Sequence, residues 1–200
     1  MDYHKLLETL LREKEGMLLT KDIIEAGISK QLLSKYVKKG YIERVAQGVY
    51  LSKDAFEDAM YVLQARSKKA IFSHETALYL HDLTDRDPLQ YTVTLPSGYN
   101  ASNFKNDGIY VYFIKNDLLN LGVEYGKTPF GRNIRVYNKE RTICDIVRNR
   151  NVIDSAIINE GIRRYLSEKE KDIPKLLQYA EKFRVEKIIR QYVEVLIWGH

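Results

Sequence analysis

The stretch "ISKQLLSKYVKKGYIERVAQGVY", residues 28–50, sets Lys30, Lys35, Lys38, Lys39 and Arg44 against a single acidic residue, Glu43. Ammonium and guanidinium groups donate hydrogen bonds to phosphate oxygens and to the acceptor edge of guanine, and Gln31 carries the paired donor and acceptor that suit adenine. Ser29, Ser34 and Gln47 add neutral hydrogen-bonding groups to the same set. The chemistry on offer is the gripping and reading of a nucleic acid. A lysine-rich helix face is more often simply solvated, but solvated faces usually mix signs and this one does not.

Other titratable groups form weaker patterns. His74 and Glu75 stand near His81 and Asp82, yet no HExxH or comparable ligand spacing accompanies them. Ser73 to Thr76 are expected to form the polar first turn of a helix, with His81 and Asp82 near its end. Cys144 next to Asp145 has the composition of a nucleophile site but falls beside the apolar stripe of an amphipathic helix, where buried packing is its expected role. "PSGYNASN" lacks the lysine and spacing of a phosphate loop, and Glu124 with Lys127 lacks the further carboxylate that a nuclease centre needs. The sequence therefore assigns no catalytic residue, no metal ligand and no cofactor, and a non-enzymatic function is expected.

The basic residues need a scaffold to present them. Tyr3, Leu6, Leu7, Leu10 and Leu11 in "DYHKLLETLLREK" fall on one helical face. Thr20 is placed to cap the short segment "KDIIEA", which Gly27 ends. Ser29 is placed to cap a third helix whose apolar stripe is Leu32, Leu33, Tyr36 and Val37 and whose stop is Gly40. The other face of that helix carries Lys30, Gln31, Ser34, Lys35, Lys38 and Lys39. In "YIERVAQGVYLS", Gly48 supplies a turn between two β-rich arms. Three short helices and a hairpin make a winged helix-turn-helix, expected over residues 1–52. Its third helix would place Lys30, Gln31, Ser34 and Lys35 toward base edges, and Lys38, Lys39, Arg44 and Gln47 toward phosphates.

Whole-chain properties permit this reading without demanding it. The 200 residues are 44% hydrophobic and 30% charged, with a formal net charge of +5. Residues 1–52 hold nine Lys or Arg against seven Asp or Glu, so local pattern rather than bulk charge carries the DNA argument. No apolar run is long enough to span a bilayer, the amino terminus lacks a signal-peptide pattern, and the lone Cys144 excludes an internal disulfide. A cytoplasmic location with no membrane partner is expected.

Residues 53–200 read as a second, mixed α/β domain, making the chain α+β overall. Helices are expected in "KDAFEDAMYVLQARSKKA" and "SHETALYLHDL". Strands are expected in "LQYTVTLP", "GIYVYFIK", "LGVEYGKT" and "NIRVYNK". The chain then turns helical, with Ile143, Ile146 and Val147 on a buried stripe and Arg141 spaced to pair with Asp145. Pro174 suits the first turn of a helix reaching Phe183, and Val185, Ile188, Ile189, Tyr192, Val193 and Leu196 line the last helix. A late basic set, Arg148, Arg163, Arg164, Lys182, Arg184, Lys187 and Arg190, is either a soluble surface or a face that extends contact with DNA or with an acidic or nucleic-acid partner.

The segments "LTKDIIEAGISKQLLSKYVKKGYIERVAQGVYL", "FSHETALYLHDL" and "YNKERTICDIVR", in this order and at these distances, resemble the AbiEi-type antitoxins of type IV toxin–antitoxin abortive-infection systems, which act in phage defence. The resemblance spans nearly the whole chain. It implies a winged-helix repressor that binds inverted repeats, double-stranded DNA in its own promoter. It further implies a carboxy-terminal antitoxin domain that antagonises a co-encoded nucleotidyltransferase-like toxin without a stable complex. A different class of function is also consistent with the residues: a protein-interaction module that binds a partner enzyme directly, with no sequence-specific contact to DNA.

Overall fold

The computed structural model describes residues 2–198, which divide between Lys68 and Lys69 into two compact units. The first unit opens with α1 (Tyr3–Glu13). The Asp2 carboxylate accepts the His4 and Lys5 amides at 3.1 and 3.4 Å, satisfying donors that a helix start leaves open. Gly16 follows at φ +81°, and a Cβ there would stand 2.4 Å from the Ala55 Cβ. The chain then enters β1 (Met17–Leu19), α2 (Thr20–Glu25), α3 (Lys30–Lys38), β2 (Ile42–Ala46), β3 (Val49–Ser52) and α4 (Ala59–Arg66).

Thr20 is not the cap expected of it. It is the first residue of α2, and its amide donates to the Gly48 carbonyl at 2.9 Å. Strand β1 pairs with β3 right up to Leu19, so the sheet fixes where the helix begins, and the Asp22 carboxylate instead accepts the Leu19 amide at 3.1 Å. Ser29 does cap α3, its Oγ accepting the Leu32 amide at 3.3 Å. The three strands are antiparallel in the order β1-β3-β2, with Tyr50 opposite Leu18 on one side and Arg44 on the other. Behind them Leu7, Leu18, Ile23, Ile28, Leu33 and Ile42 close one core. Full burial of each such side chain contributes roughly 1.5–3 kcal/mol.

The second unit is built on a five-stranded mixed sheet of order β6-β5-β4-β8-β7. Its elements run β4 (Ile71–Phe72), α5 (His74–Leu80), β5 (Thr92–Pro96), α6 (Ser102–Asn106), β6 (Tyr110–Ile114), α7 (Asn116–Leu119), β7 (Val123–Lys127), β8 (Asn133–Tyr137), α8 (Lys139–Arg148), α9 (Ser155–Ser167), α10 (Ile173–Phe183) and α11 (Glu186–Val193). β4 pairs antiparallel with β5 and parallel with β8, so a strand of two residues joins the halves of the sheet. Helix α8 is buried from Glu140 to Val147, and Leu78, Ile143, Ile146, Tyr165, Leu176 and Phe183 share its core.

Helix α10 carries Pro174 in its first turn, where the missing amide costs nothing. Leu196 departs from the expected inward stripe and is 40% exposed. The chain widens to a π turn over Glu194–Trp198, which shifts the phase of the later side chains relative to Ile189 and Val193. No described helix is long and apolar enough to cross a membrane.

Candidate functional site

In the first unit the two faces of α3 are chemically separate. Leu33 and Tyr36 are buried, while Lys30, Gln31, Ser34, Lys35 and Lys38 are exposed, as are the preceding cap Ser29 and the following Lys39. Arg44 on β2 and Gln47 at the β2–β3 turn are exposed as well, the latter next to Gly48 at φ +78°. The Ser34 hydroxyl donates back to the Lys30 carbonyl at 3.1 Å and keeps its lone pairs for an outside donor. None of Lys30, Lys35, Lys38, Lys39 and Arg44 has an ion-pair partner among the described residues, so their charge is uncompensated locally. Groups of this kind are able to take an anion without displacing a carboxylate.

Two contributors lie outside the pattern that pointed to this surface. The Lys53 ammonium lies within 3.5 Å of the position a Cβ would take on Gly40, which brings it to the end of α3 although it follows β3 in sequence. Behind α3, the His4 ring meets Tyr41 edge-on at 4.5 Å and Tyr36 at 6.1 Å, fixing α1 against the helix that presents the lysines. Tyr41 is itself 42% exposed and adds a phenolic donor at the end of that helix.

The second unit holds a buried polar cluster. His74 begins α5 at φ +49°, a conformation disfavoured for a residue with a Cβ, and its ring stacks on Tyr112 at 3.5 Å. The Asn149 amide nitrogen donates to His74 Nε2 at 3.0 Å and to the Asp145 carbonyl at 3.0 Å. That geometry makes Nε2 an acceptor, so Nδ1 carries the proton and donates to Ser73 Oγ at 2.9 Å. Burial, with Arg141 and then Arg148 nearby, holds the imidazole well below its usual pKa, hence neutral. Ser73 is fully buried and accepts from Thr94 Oγ1 at 2.9 Å, so its hydroxyl is not presented as a nucleophile.

His81 goes elsewhere. Its Nε2 donates to the Tyr137 carbonyl at 2.6 Å, so the two histidines do not converge on one ligand position. Cys144 is buried, its thiol pushed up by burial and directed at the Leu176 carbonyl at 3.8 Å. Both residues act as packing and hydrogen-bonding groups.

Arg141 and Asp145 form the expected pair, Nε donating to Oδ2 at 2.9 Å, with both side chains sealed from solvent. Arg141 Nη1 also donates to the Leu118 and Leu121 carbonyls at 2.9 and 2.8 Å. The guanidinium lies between the rings of Tyr137 and Phe183, about 4 Å from each centroid. Burial pushes the Asp145 carboxyl up to about 6 despite the opposing charges of Arg141 and Arg148.

Two recesses take five of the late basic residues. Arg163 and Arg164 line a recess with Asn159 and Glu160, and Arg164 pairs with Asp85 and with Glu160. Arg190 pairs with Glu186 at 2.7 Å on α11, where Lys187 is exposed. Arg148, Lys182 and Arg184 instead line a different recess, together with Lys115.

With this geometry in place, the likenesses to known proteins can be weighed. Residues 4–53, which span α1 to β3, match the family model described as a transcriptional regulator, AbiEi antitoxin. No curated protein matches the chain. Among solved structures, the Rv2827c protein from Mycobacterium tuberculosis is similar in fold, with a TM-score of 0.64 at 12% sequence identity, over 94% of this chain and 75% of that one. The winged-helix segment, residues 4–53, is thus similar to the transcriptional regulators of the AbiEi antitoxin family.

Proposed function

We propose that the protein is a DNA-binding autorepressor and the antitoxin of a type IV abortive-infection system. The observation that carries the DNA part is α3 itself: a capped helix whose buried side docks on the unit's core while its opposite side shows three lysines and a glutamine, with Lys39 just after it. That arrangement suits entry into a major groove, with the β2–β3 wing beside it to meet the sugar–phosphate backbone. Lys30, Gln31, Ser34 and Lys35 are the base-reading set, and Ser29, Lys38, Lys39, Arg44 and Gln47 the positioning set.

One winged helix spans one half-site, so two copies on an inverted repeat give tight occupancy, and repression follows from occluding the promoter. Support for the antitoxin part comes from the family matched by residues 4–53. The second unit is the part assigned to antagonism of a nucleotidyltransferase-like toxin, without catalysis and without a cofactor. The buried Ser73 and Cys144, and the divergent His74 and His81, fit that non-enzymatic assignment.

An electrophoretic shift with the DNA upstream of the protein's own gene tests this directly. The expected result is a complex that random DNA displaces poorly and that depends on both halves of an inverted repeat. No shift at micromolar protein would remove the repressor reading and leave a protein-interaction module.

A further inference from the structure

The second unit contains a small cavity of about 70 Å³ whose polar lining is His74, Thr94, Tyr112, Arg141, Asp145, Arg148 and Asn149. Arg141 is fully buried, and three of its guanidinium contacts are accounted for through Nε and Nη1, but its Nη2 is buried with no hydrogen-bond partner. A buried donor left unpaired costs about 1–3 kcal/mol, more on a charged group, so an orphan on a fully enclosed guanidinium needs a reason. The same cavity has Arg148 on its wall, and the His74 and Asn149 donors are already committed to Ser73, Asp145 and each other. What remains to meet a ligand is Arg141 Nη2 and the Arg148 guanidinium, with Tyr112 on the same wall and the one carboxylate there, Asp145, held by Arg141 Nε.

Arg148 and Ile114 also line a second, open recess of about 530 Å³, whose other charged residues are Lys115, Asp117, Lys182 and Arg184. None of Lys115, Arg148, Lys182 and Arg184 has an ion-pair partner among the described residues, whereas Lys139, Arg164, Lys175 and Arg190 on the same unit all do. Four unpaired cations against one aspartate make a basin that attracts several negative charges. The inner cavity, by contrast, admits one compact group only.

We propose that the second unit binds a small ligand of the diphosphate class, its terminal phosphate taken by Arg141 Nη2 and Arg148 in the inner cavity and its next phosphate by Lys115, Lys182 and Arg184 in the basin. Guanidinium groups suit this role because their planar donors meet phosphate oxygens in pairs, and the lysines act as mobile point charges around the second group. The site lies wholly within residues 69–200 and is independent of the DNA reading of the first unit.

Calorimetric titration of the full chain with inorganic phosphate and with inorganic diphosphate is the test. Diphosphate is expected to bind at least about tenfold more tightly than phosphate, because only it reaches both sets of cations. Arg148→Gln, on an exposed side chain, is expected to weaken both ligands about tenfold or more. The pair Lys182→Gln and Arg184→Gln is expected to weaken diphosphate alone, with the fold of each variant checked by circular dichroism. A nucleoside diphosphate binding as inorganic diphosphate does would assign recognition to the phosphates only, and tighter binding would add the nucleoside; both support the site. Absence of binding by either inorganic anion at about 10 mM, or an Arg148→Gln protein that binds as before, overturns it. A random DNA duplex weakened by Arg148→Gln while neither anion binds would also overturn it, in favour of a nucleic-acid surface.

Discussion

Arg141 and Asp145 stand one helical turn apart on α8 with Nε 2.9 Å from Oδ2, and neither side chain reaches solvent. A charge enclosed this way is tolerable only while its counter-charge is present. Asp145→Leu is therefore expected to destabilise the second unit by about 3–5 kcal/mol, because the guanidinium loses its anion but stays buried. Combining it with Arg141→Met should recover much of that loss. Urea denaturation of the single and double variants decides the matter; a double variant weaker than Asp145→Leu would show that Arg141 contributes chiefly through its two backbone carbonyls and its two rings.

Gly122 makes a second, independent demand on the same arginine. It adopts φ +77°, and a Cβ there would lie 2.7 Å from the Arg141 Cβ and 3.0 Å from Asn138 Oδ1. Gly122→Ala combines backbone strain with a clash and is expected to cost about 2–4 kcal/mol. Gly27→Ala, at φ +87° with nothing within 4 Å, has only the strain and should cost about 1 kcal/mol. Equal losses in thermal or chemical denaturation would mean that the contact with Arg141 is readily relieved.

On the first unit, Lys35→Ala is expected to weaken operator binding by about 1–3 kcal/mol, with a smaller loss on random DNA. Lys39→Ala should weaken both about equally and reduce the slope of log K against log salt by about 0.9, the signature of one lost phosphate contact. Fluorescence anisotropy over a salt series separates the two effects. Wild-type affinity in both variants would place the groove-facing surface elsewhere.

His74 provides a prediction in pH. Burial and the neighbouring arginines hold it neutral in the folded protein, whereas the unfolded chain takes that proton near 6.5. Below 6.5 the unfolded state thus binds more protons, so the stability associated with His74 is present above that pH and is lost as the pH falls. Long-range proton–nitrogen spectra should show the Nδ1–H tautomer at pH 7 and no change in it at pH 6. A midpoint near 6.5 would contradict the hydrogen-bond geometry to Asn149 and Ser73.

Helix α3 was legible because it carries its own punctuation: Ser29 before it, Gly40 after it, and an apolar stripe between. Likewise β5, β6, β7 and β8 are announced by alternating β-branched and aromatic residues. Strands β1 and β4 were not, since three residues and two residues give no period to read, and both exist only because a partner strand lies alongside. The exposed basic set of α3 was readable as one face of one helix. Lys53 was missed because its place beside Gly40 depends on how the chain returns after β3. The Arg141–Asp145 pair was readable from its spacing, but its enclosure and the orphaned Nη2 depend on Tyr137, Phe183 and the Leu118 and Leu121 carbonyls, all brought in by tertiary packing.

The pairing of β1 with β3 bears on how quickly a complex can form. A hairpin alone in water is only marginally ordered, and settling it upon a duplex would spend conformational entropy at the moment of contact. Here β3 is flanked on both edges, by Leu18 opposite Tyr50 and by Arg44 opposite the same residue. In the proposed complex the arm beside α3 thus reaches the duplex already stiff, and encounters with the wrong register dissociate instead of being accommodated by a yielding arm.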